Sequence, residues 1–300
     1  MTTLAVGIIT YKRPDSLKRL LAGIATQTFT DREAIPFTVV IVDNDAAGSA
    51  RSVCDEARSE LKLEISYIIE PQKGVPFARN RILASLPDNC ELLAWIDDDE
   101  APTPNWLDAL TLTQKETEAD IVMGAISAIL PENAPVWVKN GGFFNRRRFI
   151  DRASLAEGAT NNCLVNVRSI KSAGLRFNEK LRYPGGSDTL FFREAAHKNL
   201  RMVWSAAAVV QDFVQPEHCK LGWLLRRHFS AGITLAACDV ETDGIKGWFT
   251  RLYYGFSKLF QGLINLPIGF EGQHELVRAL LALSRGSGMI AGLLGVRKTA

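Results

Sequence analysis

Three consecutive carboxylates, Asp97, Asp98 and Asp99, are the residues of this sequence best suited to chemistry. They directly follow residues 91–96, an apolar segment with the length and composition of a buried strand. Like charges at a strand end repel one another unless a cation lies among them. Hard divalent cations take oxygen ligands and often share them with substrate phosphates. The triplet therefore predicts a metal site for a phosphate-bearing substrate, with a solvated acidic turn as the alternative.

Strand-like and helix-like segments alternate over the first 120 residues and must position these carboxylates. The pattern predicts strands at 4–10, 37–43, 63–69 and 91–96, and helices at 14–25, 49–61 and 76–86. This alternation indicates an α/β fold with a mostly parallel central sheet and helices on both faces. Farther along, the pattern predicts strands at 121–130 and 200–210, and helices at 188–199 and 221–237.

Polar side chains follow each of the first four predicted strands. They are Thr10 to Arg13, Asp43 to Asp45, Gln72 to Gly74, and Asp97 to Asp99. Ligands of such sheets bind beyond the carboxyl ends of the strands, so these groups predict a nucleotide-sized pocket. The first strand is not followed by a GxGxxG fingerprint, which disfavours NAD binding, and the sequence contains no Walker A loop.

Charge is distributed unevenly along the chain. The net charge of +2 is close to neutral and does not indicate a nucleic-acid-binding protein. Residues 245–300, however, contain seven Lys or Arg residues and only two Glu residues. The C-terminal tail is therefore basic, and the rest of the chain is slightly acidic.

Cysteine usage and hydropathy indicate a cytoplasmic protein. The five cysteines are scattered and form no CxxC pair, which favours reduced structural thiols. Residues 4–10 already form a strand with no basic segment before it, so we expect no signal peptide. We also expect no transmembrane helix, because no uncharged apolar stretch approaches about 18 residues.

The motifs together resemble family-2 glycosyltransferases of the GT-A fold. The resemblance rests on residues 8–14 (IITYKRP), 42–45 (VDND), 74–80 (GVPFARN) and the Asp97 to Asp99 triplet, and it extends over residues 4–237. Residues 131–137 (PENAPVW) and 185–192 (GGSDTLFF) are similar to succinoglycan-type glucosyltransferases of bacterial exopolysaccharide assembly.

The resemblance implies an inverting transfer of a sugar from a nucleoside-diphosphate sugar, with a UDP-sugar expected, assisted by Mn²⁺ or Mg²⁺. The acceptor would be a glycan or a lipid-linked glycan in cell-surface polysaccharide synthesis. It also implies a catalytic domain over residues 1–240, with a nucleotide-binding half at 1–120 and an acceptor half at 121–240. Residues 241–300 would form a C-terminal extension, a basic amphipathic helical tail.

Family roles transfer to individual residues of this sequence by their motifs. The resemblance implies that the nucleotide sugar is bound by Thr10, Tyr11, Arg13, Asp43, Gly74, Arg79, Asp97 and Asp98. It implies metal ligation by Asp99 and Asp97, with Asp212 or Gln211 at the position where the family carries a histidine. Its acceptor-side residues would be Asn162, Gly186, Ser187 and Arg227.

Asp188 is the residue that the resemblance assigns as general base. An inverting transfer needs a group that takes the proton from the attacking acceptor hydroxyl. The family places this aspartate after a glutamate, whereas Ser187 stands at that position here. Asp188 also suits a helix N-cap, and both roles can hold together.

The basic tail contains apolar residues at helical spacing: Trp248, Leu252, Phe256, Leu259, Phe260 and Leu263. This pattern predicts an amphipathic helix that either packs on the rest of the protein or makes a peripheral contact with the cytoplasmic face of the inner membrane. Two other functions remain open from the sequence. They are a nucleotidyltransferase, and a degenerate, non-catalytic nucleotide-sugar-binding module.

Overall fold

A computed structural model describes residues 3–30, 34–181, 185–267 and 272–296 of the protein. Its strands form one sheet in the order β3-β2-β1-β4-β7-β6-β8-β5. The strands are β1 (Leu4–Thr10), β2 (Phe37–Asp43), β3 (Ile65–Ile69), β4 (Leu92–Ile96), β5 (Glu100–Pro102), β6 (Ile121–Ile129), β7 (Asn162–Asn166) and β8 (Met202–Phe213). The predicted strands are confirmed, and the sequence pattern missed the short strands β5 and β7.

The helices are α1 (Pro14–Ala25), α2 (Arg51–Glu60), α3 (Val75–Ala84), α4 (Trp106–Thr117), α5 (Val136–Gly141), α6 (Val167–Ser172), α7 (Ser187–His197), α8 (Leu221–Asn265) and α9 (Gln273–Leu293). The helices predicted at 14–25, 49–61, 76–86, 188–199 and 221–237 are confirmed, although the last continues beyond residue 237, and the sequence pattern missed α4, α5 and α6. Proline occupies the first turn of α1 and of α3, where its missing N–H costs no intrahelical hydrogen bond. These prolines start both helices directly after the loops that follow β1 and β3.

The sheet is mixed, which corrects the prediction of a mostly parallel sheet. β1 pairs in parallel with β2 and β4, and β2 pairs in parallel with β3. β4 with β7, β6 with β7, and β5 with β8 are antiparallel pairs. The regular βαβ alternation ends after β4, so the parallel rule applies only to β3-β2-β1-β4. The carboxyl ends of these four strands lie at one edge.

Helices cover both faces of the sheet, as predicted. Alternate residues of β2 show this, because Val39 and Ile41 enter one apolar core while Val40 and Val42 enter the other. The first core is completed by residues of α1, α2 and α4, and the second by residues of α3, α6 and α7. A strand buried on both faces tolerates little displacement, so the loops at its end have a rigid base.

The chain divides into two compact units. The first contains the described residues of 1–127, 146–182 and 187–212, and the second those of 128–145, 183–186 and 213–300. The predicted boundary at residue 240 instead falls inside α8, because the first part of α8 belongs to the second unit together with α9. A small apolar core of this unit includes Val138, Leu224, Val277 and Leu281.

The predicted basic tail contains the second part of α8 and all of α9. α8 is interrupted at Gly244, whose φ of 56° and ψ of −130° are not helical, so α8 has two arms, 221–243 and 245–265. The Gly-rich run that begins at Gly286 is helical as far as Leu293. Among the described residues, α9 alone is long and apolar enough to cross a membrane, judged by length and composition only.

Candidate active site

A cavity of about 290 Å³ opens at the carboxyl ends of β1 and β4, within the first unit. Its lining combines aspartates, arginines and small or aromatic groups, namely Ile9, Thr10, Tyr11, Arg13, Asn44, Val75, Ala78, Arg79, Asp97, Asp98 and Asp99. The structure thus brings together six of the eight residues expected to bind the nucleotide sugar. The other two, Asp43 and Gly74, do not line this cavity.

Asp98 anchors the acidic loop to β1. Its side chain is buried, and its carboxylate accepts hydrogen bonds from Thr10 Oγ1 at 2.7 Å and from Arg13 Nη1 at 3.2 Å. Arg13 Nη1 also lies 2.7 Å from Asp99 Oδ2. Both oxygens of Asp98 therefore have protein partners, whereas Asp99 is more exposed. This arrangement favours a positioning role for Asp98 over the substrate contact that its motif implies.

Arg79 connects the acidic triplet with the expected general base. Its buried guanidinium forms an ion pair with Asp188 Oδ1 through Nη1, and Nη2 lies 3.8 Å from Asp97 Oδ1. Burial lowers the pKa of Arg79, and the charge of Asp97 opposes that shift. The Cζ atom of Arg79 also lies 5.4 Å from the ring centroid of Phe177, over its ring. Arg79 thus holds two candidate catalytic carboxylates in one network.

Asp188 is further fixed by two hydroxyl groups. Thr160 Oγ1 donates to Asp188 Oδ2 at 2.8 Å, and Ser187 Oγ donates to Asp188 Oδ1 at 3.1 Å. Asp188 is the second residue of α7, so it lies inside the helix and not at the N-cap position. Ser187 therefore does more than replace the family glutamate, because its hydroxyl orients the neighbouring carboxylate.

Glu100 supports the acidic loop, a role that the motif analysis missed. It is buried, its Oε2 accepts from the backbone N–H of Asp97 at 3.2 Å, and its Oε1 accepts from Asn161 Nδ2 at 2.9 Å. Its position directly after the triplet was the available signal. Burial, then the charges of Asp97 and Asp212, raise the pKa of Glu100 well above its usual range.

The structure separates Gln211 from Asp212, the two candidates for the histidine position. Asp212 lies opposite Glu100 in the antiparallel β5/β8 pair, and Gln211 lies opposite Ala101. Neighbouring residues of a strand point to opposite faces, so only one of the two can face the acidic loop. The charge of Asp212 contributes to the raised pKa of both Asp97 and Glu100, which favours Asp212 as that residue.

The acidic loop has the donor chemistry of a site for a hard cation. Burial raises the pKa of Asp97 to about 6; Arg79 opposes the shift, and Asp99, Asp98 and Asp212 reinforce it. Across the described residues, no group of three or more His, Cys, Asp or Glu side chains is arranged to hold a metal ion. Mg²⁺ is often bound by one or two carboxylates plus substrate phosphates, so the carboxylate oxygens still fit such an ion.

Asp43 has a structural role in its loop, and its expected contact with the nucleotide stays a prediction. It is fully buried, and its carboxylate accepts hydrogen bonds from the N–H groups of Asp45 and Ala50 and from the Tyr67 hydroxyl, at 2.8–2.9 Å. Burial, then the hydrogen bond to Asp43, raise the pKa of Tyr67. Asp43 therefore organises the loop after β2.

Replacing Asp43 with asparagine is expected to destabilise the protein by about 1–3 kcal/mol, since an amide cannot accept all three hydrogen bonds. Urea denaturation measures the free energy of unfolding, with Asp45→Asn, a change at a less buried carboxylate of the same loop, for comparison. A loss of UDP affinity with unchanged stability would instead support the direct nucleotide contact.

Asn44 and Gly74 form a second positioning contact beside the cavity. Asn44 Nδ2 donates to the carbonyls of Glu70 and Gln72 at 2.9 Å each, and Asn44 Oδ1 accepts from Gly74 N–H at 2.8 Å. Gly74 has a φ of 141°, which side-chain-bearing residues rarely adopt. Gly74 thus shapes the loop that leads into α3 and so places Arg79.

Tyr11 presents an aromatic ring at the cavity. Its side chain is exposed, and the Nζ atoms of Lys12 and Lys73 lie 5.4 and 5.1 Å from its ring centroid. Two cations beside an exposed ring suit a planar, anionic ligand such as a nucleotide.

The expected acceptor-side residues are divided between the two units, with Asn162 and Ser187 in the first. Asn162 is buried in the core, where its amide binds the carbonyls of Ala125 and Ala208 and accepts from Trp106 Nε1. This satisfied core amide is not available to an acceptor, which corrects the prediction. Gly186 and Arg227 belong to the second unit. There Gly186 has a φ of 89°, and a Cβ on it would lie 2.5 Å from Thr234 Cγ2, so only glycine fits.

The sequence profile of the family described as glycosyl transferase family 2 matches residues 5–174, more than half of the chain. The chain belongs to this family. The match begins at β1 and covers the acidic loop and Arg79, but it ends before α7. The family therefore establishes a glycosyltransferase, while Asp188 lies outside the matched segment.

Individual relatives agree with this assignment. The chain is 29% identical over 299 residues to the succinoglycan biosynthesis protein ExoM of Rhizobium meliloti (strain 1021), covering 98% of this chain and 93% of ExoM. It is 28% identical over 128 residues to ExoW, another succinoglycan biosynthesis protein of that organism, covering 42% of this chain and 39% of ExoW.

Solved structures of similar fold include S. aureus TarS. The chain matches the first TarS structure with a TM-score of 0.57 and 14% identity, over 97% of this chain and 55% of the longer TarS chain. A TarS 1–349 structure in complex with UDP matches with a TM-score of 0.56 and 15% identity, over 99% of this chain and 92% of that one. This likeness confirms the expected GT-A-type fold.

Proposed function

We propose that this glycosyltransferase transfers a sugar from a UDP-sugar, with inversion, to a glycan or lipid-linked acceptor in exopolysaccharide synthesis. The name of ExoM supports the biosynthetic context. The TarS structures in complex with UDP and with UDP-GlcNAc support a uridine donor on this fold. The network that joins Asp97, Arg79 and Asp188 is the single observation on which the proposal depends.

In this proposal the cavity beyond β1 and β4 binds the donor. Thr10 and Tyr11 lie on the side where the base and ribose would bind. Arg13 and Arg79 supply positive charge where a diphosphate leaving group develops negative charge in the transition state. Both arginines already contact carboxylates, so their side chains are held in place before the donor arrives.

The metal ion proposed here is Mn²⁺ or Mg²⁺, held by Asp97 and Asp99 with Asp212 beside them. When bound, the ion would stabilise the charge of the departing diphosphate as a Lewis acid. Asp98 and Glu100 would position these ligands. Asp98 accepts a hydrogen bond from Thr10 of the neighbouring strand, and Glu100 accepts one from the backbone N–H of Asp97.

The proposed base is Asp188. As the acceptor hydroxyl forms its bond to the anomeric carbon, its proton passes to the Asp188 carboxylate, and the bond from that carbon to the diphosphate breaks. Attack from the face opposite the leaving group inverts the anomeric configuration. Arg79, Thr160 and Ser187, the last of them an expected acceptor-side residue, keep the carboxylate oriented.

Incubation of the full chain with UDP-sugars tests the proposal. We expect slow release of UDP, faster with the correct acceptor, which falls after EDTA treatment and recovers when Mn²⁺ or Mg²⁺ is returned. GDP- and TDP-sugars serve as comparison donors for the UDP-sugars. In a parallel incubation with a nucleoside triphosphate and a sugar 1-phosphate, formation of a nucleoside-diphosphate sugar with release of pyrophosphate would instead indicate nucleotidyl transfer. Binding of UDP-sugars with no UDP release under any condition would indicate the non-catalytic module.

We also propose that the enzyme works at the cytoplasmic face of the inner membrane. Lipid-linked acceptors are held there, and the basic residues of 245–300 suit anionic lipid headgroups.

A further inference from the structure

The second arm of α8, residues 245–265, carries an exposed aromatic face. We define this face as Phe249, Tyr253, Phe256, Phe260 and Leu263, whose side chains are 57–71% exposed. Their spacing of four, three, four and three residues places them in one stripe along the helix. Contiguous apolar surface of this kind marks an interaction site in a soluble protein.

Glycines explain why the bulky side of this arm faces outward. Gly255 and Gly262 are buried on the opposite side of the helix, where α9 packs. A Cβ at Gly262 would lie 2.6 Å from Leu283 Cγ, and a Cβ at Gly286 would lie 2.7 Å from the Gly255 carbonyl oxygen. The two helices approach through small residues, so the aromatic side chains do not contribute to this packing.

Charge indicates what the aromatic face binds. Residues 245–265 contain three basic residues, Lys246, Arg251 and Lys258, and neither Asp nor Glu. Arg251 is paired with Asp239 in the first arm, at 2.6 Å, and the helical spacing puts Lys258 on the side opposite the aromatic face. Lys246 therefore supplies the positive charge beside this face. Helices that lie in a membrane interface combine aromatic anchors with lysines. A helix that pairs with another helix of the same kind usually carries charges of both signs beside its apolar stripe.

α9 is the other apolar candidate, but its small residues are used inside the second unit. A Cβ at Gly288 would lie 2.1 Å from the carbonyl oxygen of Phe229 in the first arm of α8, and Gly286 approaches Gly255 in the second arm. Packing on both arms accounts for the composition of α9 without a span. A bilayer contact is therefore best assigned to the aromatic face.

We propose that the aromatic face lies flat in the headgroup region of an anionic phospholipid bilayer. The aromatic rings would enter the acyl boundary, while Lys246 and the hydroxyl groups of Thr250 and Ser257 would remain among the headgroups. This inference rests on the membrane contact proposed above and assigns it to one face of one helix. An enzyme anchored in this way would meet a lipid-linked acceptor by diffusion in two dimensions.

Vesicle flotation with the full chain tests the inference. We expect the protein to bind vesicles of phosphatidylcholine mixed with phosphatidylglycerol, and to bind pure phosphatidylcholine weakly. Phe256→Ser combined with Phe260→Ser should weaken binding about tenfold or more. Lys246→Gln should weaken it about fivefold, on the anionic vesicles only. Ile150→Ser, which removes an even more exposed apolar side chain from the first unit, should have no effect.

Three results would overturn the inference. The first is equal vesicle binding by the wild type and the Phe256/Phe260 variant. The second is a wild-type protein that binds no vesicles but forms a dimer that is lost in this variant, and the third is a vesicle-bound wild type that resists alkaline extraction, as expected of an inserted α9. Thermal melting shows that each variant is folded. UDP release measured without vesicles separates this inference from the proposed sugar transfer. The protein can release UDP without binding vesicles, and it can bind vesicles without releasing UDP.

Discussion

Asp188→Asn is expected to lower the rate of sugar transfer by about 10²–10⁴-fold, the usual contribution of a general base. The amide cannot take the proton of the acceptor hydroxyl. Its oxygen can still accept a hydrogen bond from Thr160 or Arg79, so we expect the variant to fold and to bind UDP. Transfer rates measured with saturating donor, together with UDP affinity from calorimetry, check both parts.

Two further variants complete this experiment. Asp55→Asn removes an exposed carboxylate of α2 that pairs with Arg58, and it should leave transfer unchanged. Ser187→Ala removes one hydroxyl donor to Asp188 and should lower the rate by much less than Asp188→Asn. Full transfer activity in Asp188→Asn would remove Asp188 from the mechanism and leave the donor site unaffected.

Arg79→Leu is expected to lower the free energy of unfolding by about 3–5 kcal/mol. The substitution leaves Asp97 and Asp188 without their shared cation in a partly buried site. Arg79→Lys should recover part of this stability because it keeps the charge. A single ammonium group cannot span two carboxylates as the guanidinium does, so donor affinity and transfer rate should stay low.

Arg81→Leu is the matched control, because Arg81 is exposed and lies two residues farther along the same helix. It should change stability by about 0.5 kcal/mol or less. Denaturant titration and UDP calorimetry separate the stability effect from the binding effect. An Arg79→Leu protein as stable as the wild type would contradict the assignment of Arg79 as the cation that joins the two carboxylates.

Much of the fold could be predicted because its strands are simple to recognise. β1 and β2 are continuous apolar runs closed by polar residues, and Pro14 starts α1 at the predicted residue. The antiparallel half was harder. β5 has three residues, and its pairing with β8 joins segments about 110 residues apart in the chain, which no local pattern records.

The same distinction applies to the site. Thr10, Arg13 and the Asp97 to Asp99 triplet were found because they directly follow strands whose carboxyl ends share an edge. Asp43 follows a strand too, but Tyr67 and two backbone N–H groups turn its carboxylate inward. Asn162 looks like an acceptor residue in the sequence, yet Trp106 and two carbonyls bind it in the core.

The sequence by itself determined the α/β character of the protein, the location of the acidic loop and the family, because these depend on local runs of residue types. Only the tertiary structure decided what the three aspartates contact. In the structure Asp98 accepts hydrogen bonds from Thr10 and Arg13, and Glu100 accepts one from the backbone N–H of Asp97. Arg79 connects Asp97 with Asp188. Such contacts link residues up to 109 positions apart. They depend on the packed sheet and helices, so no spacing along the chain can report them.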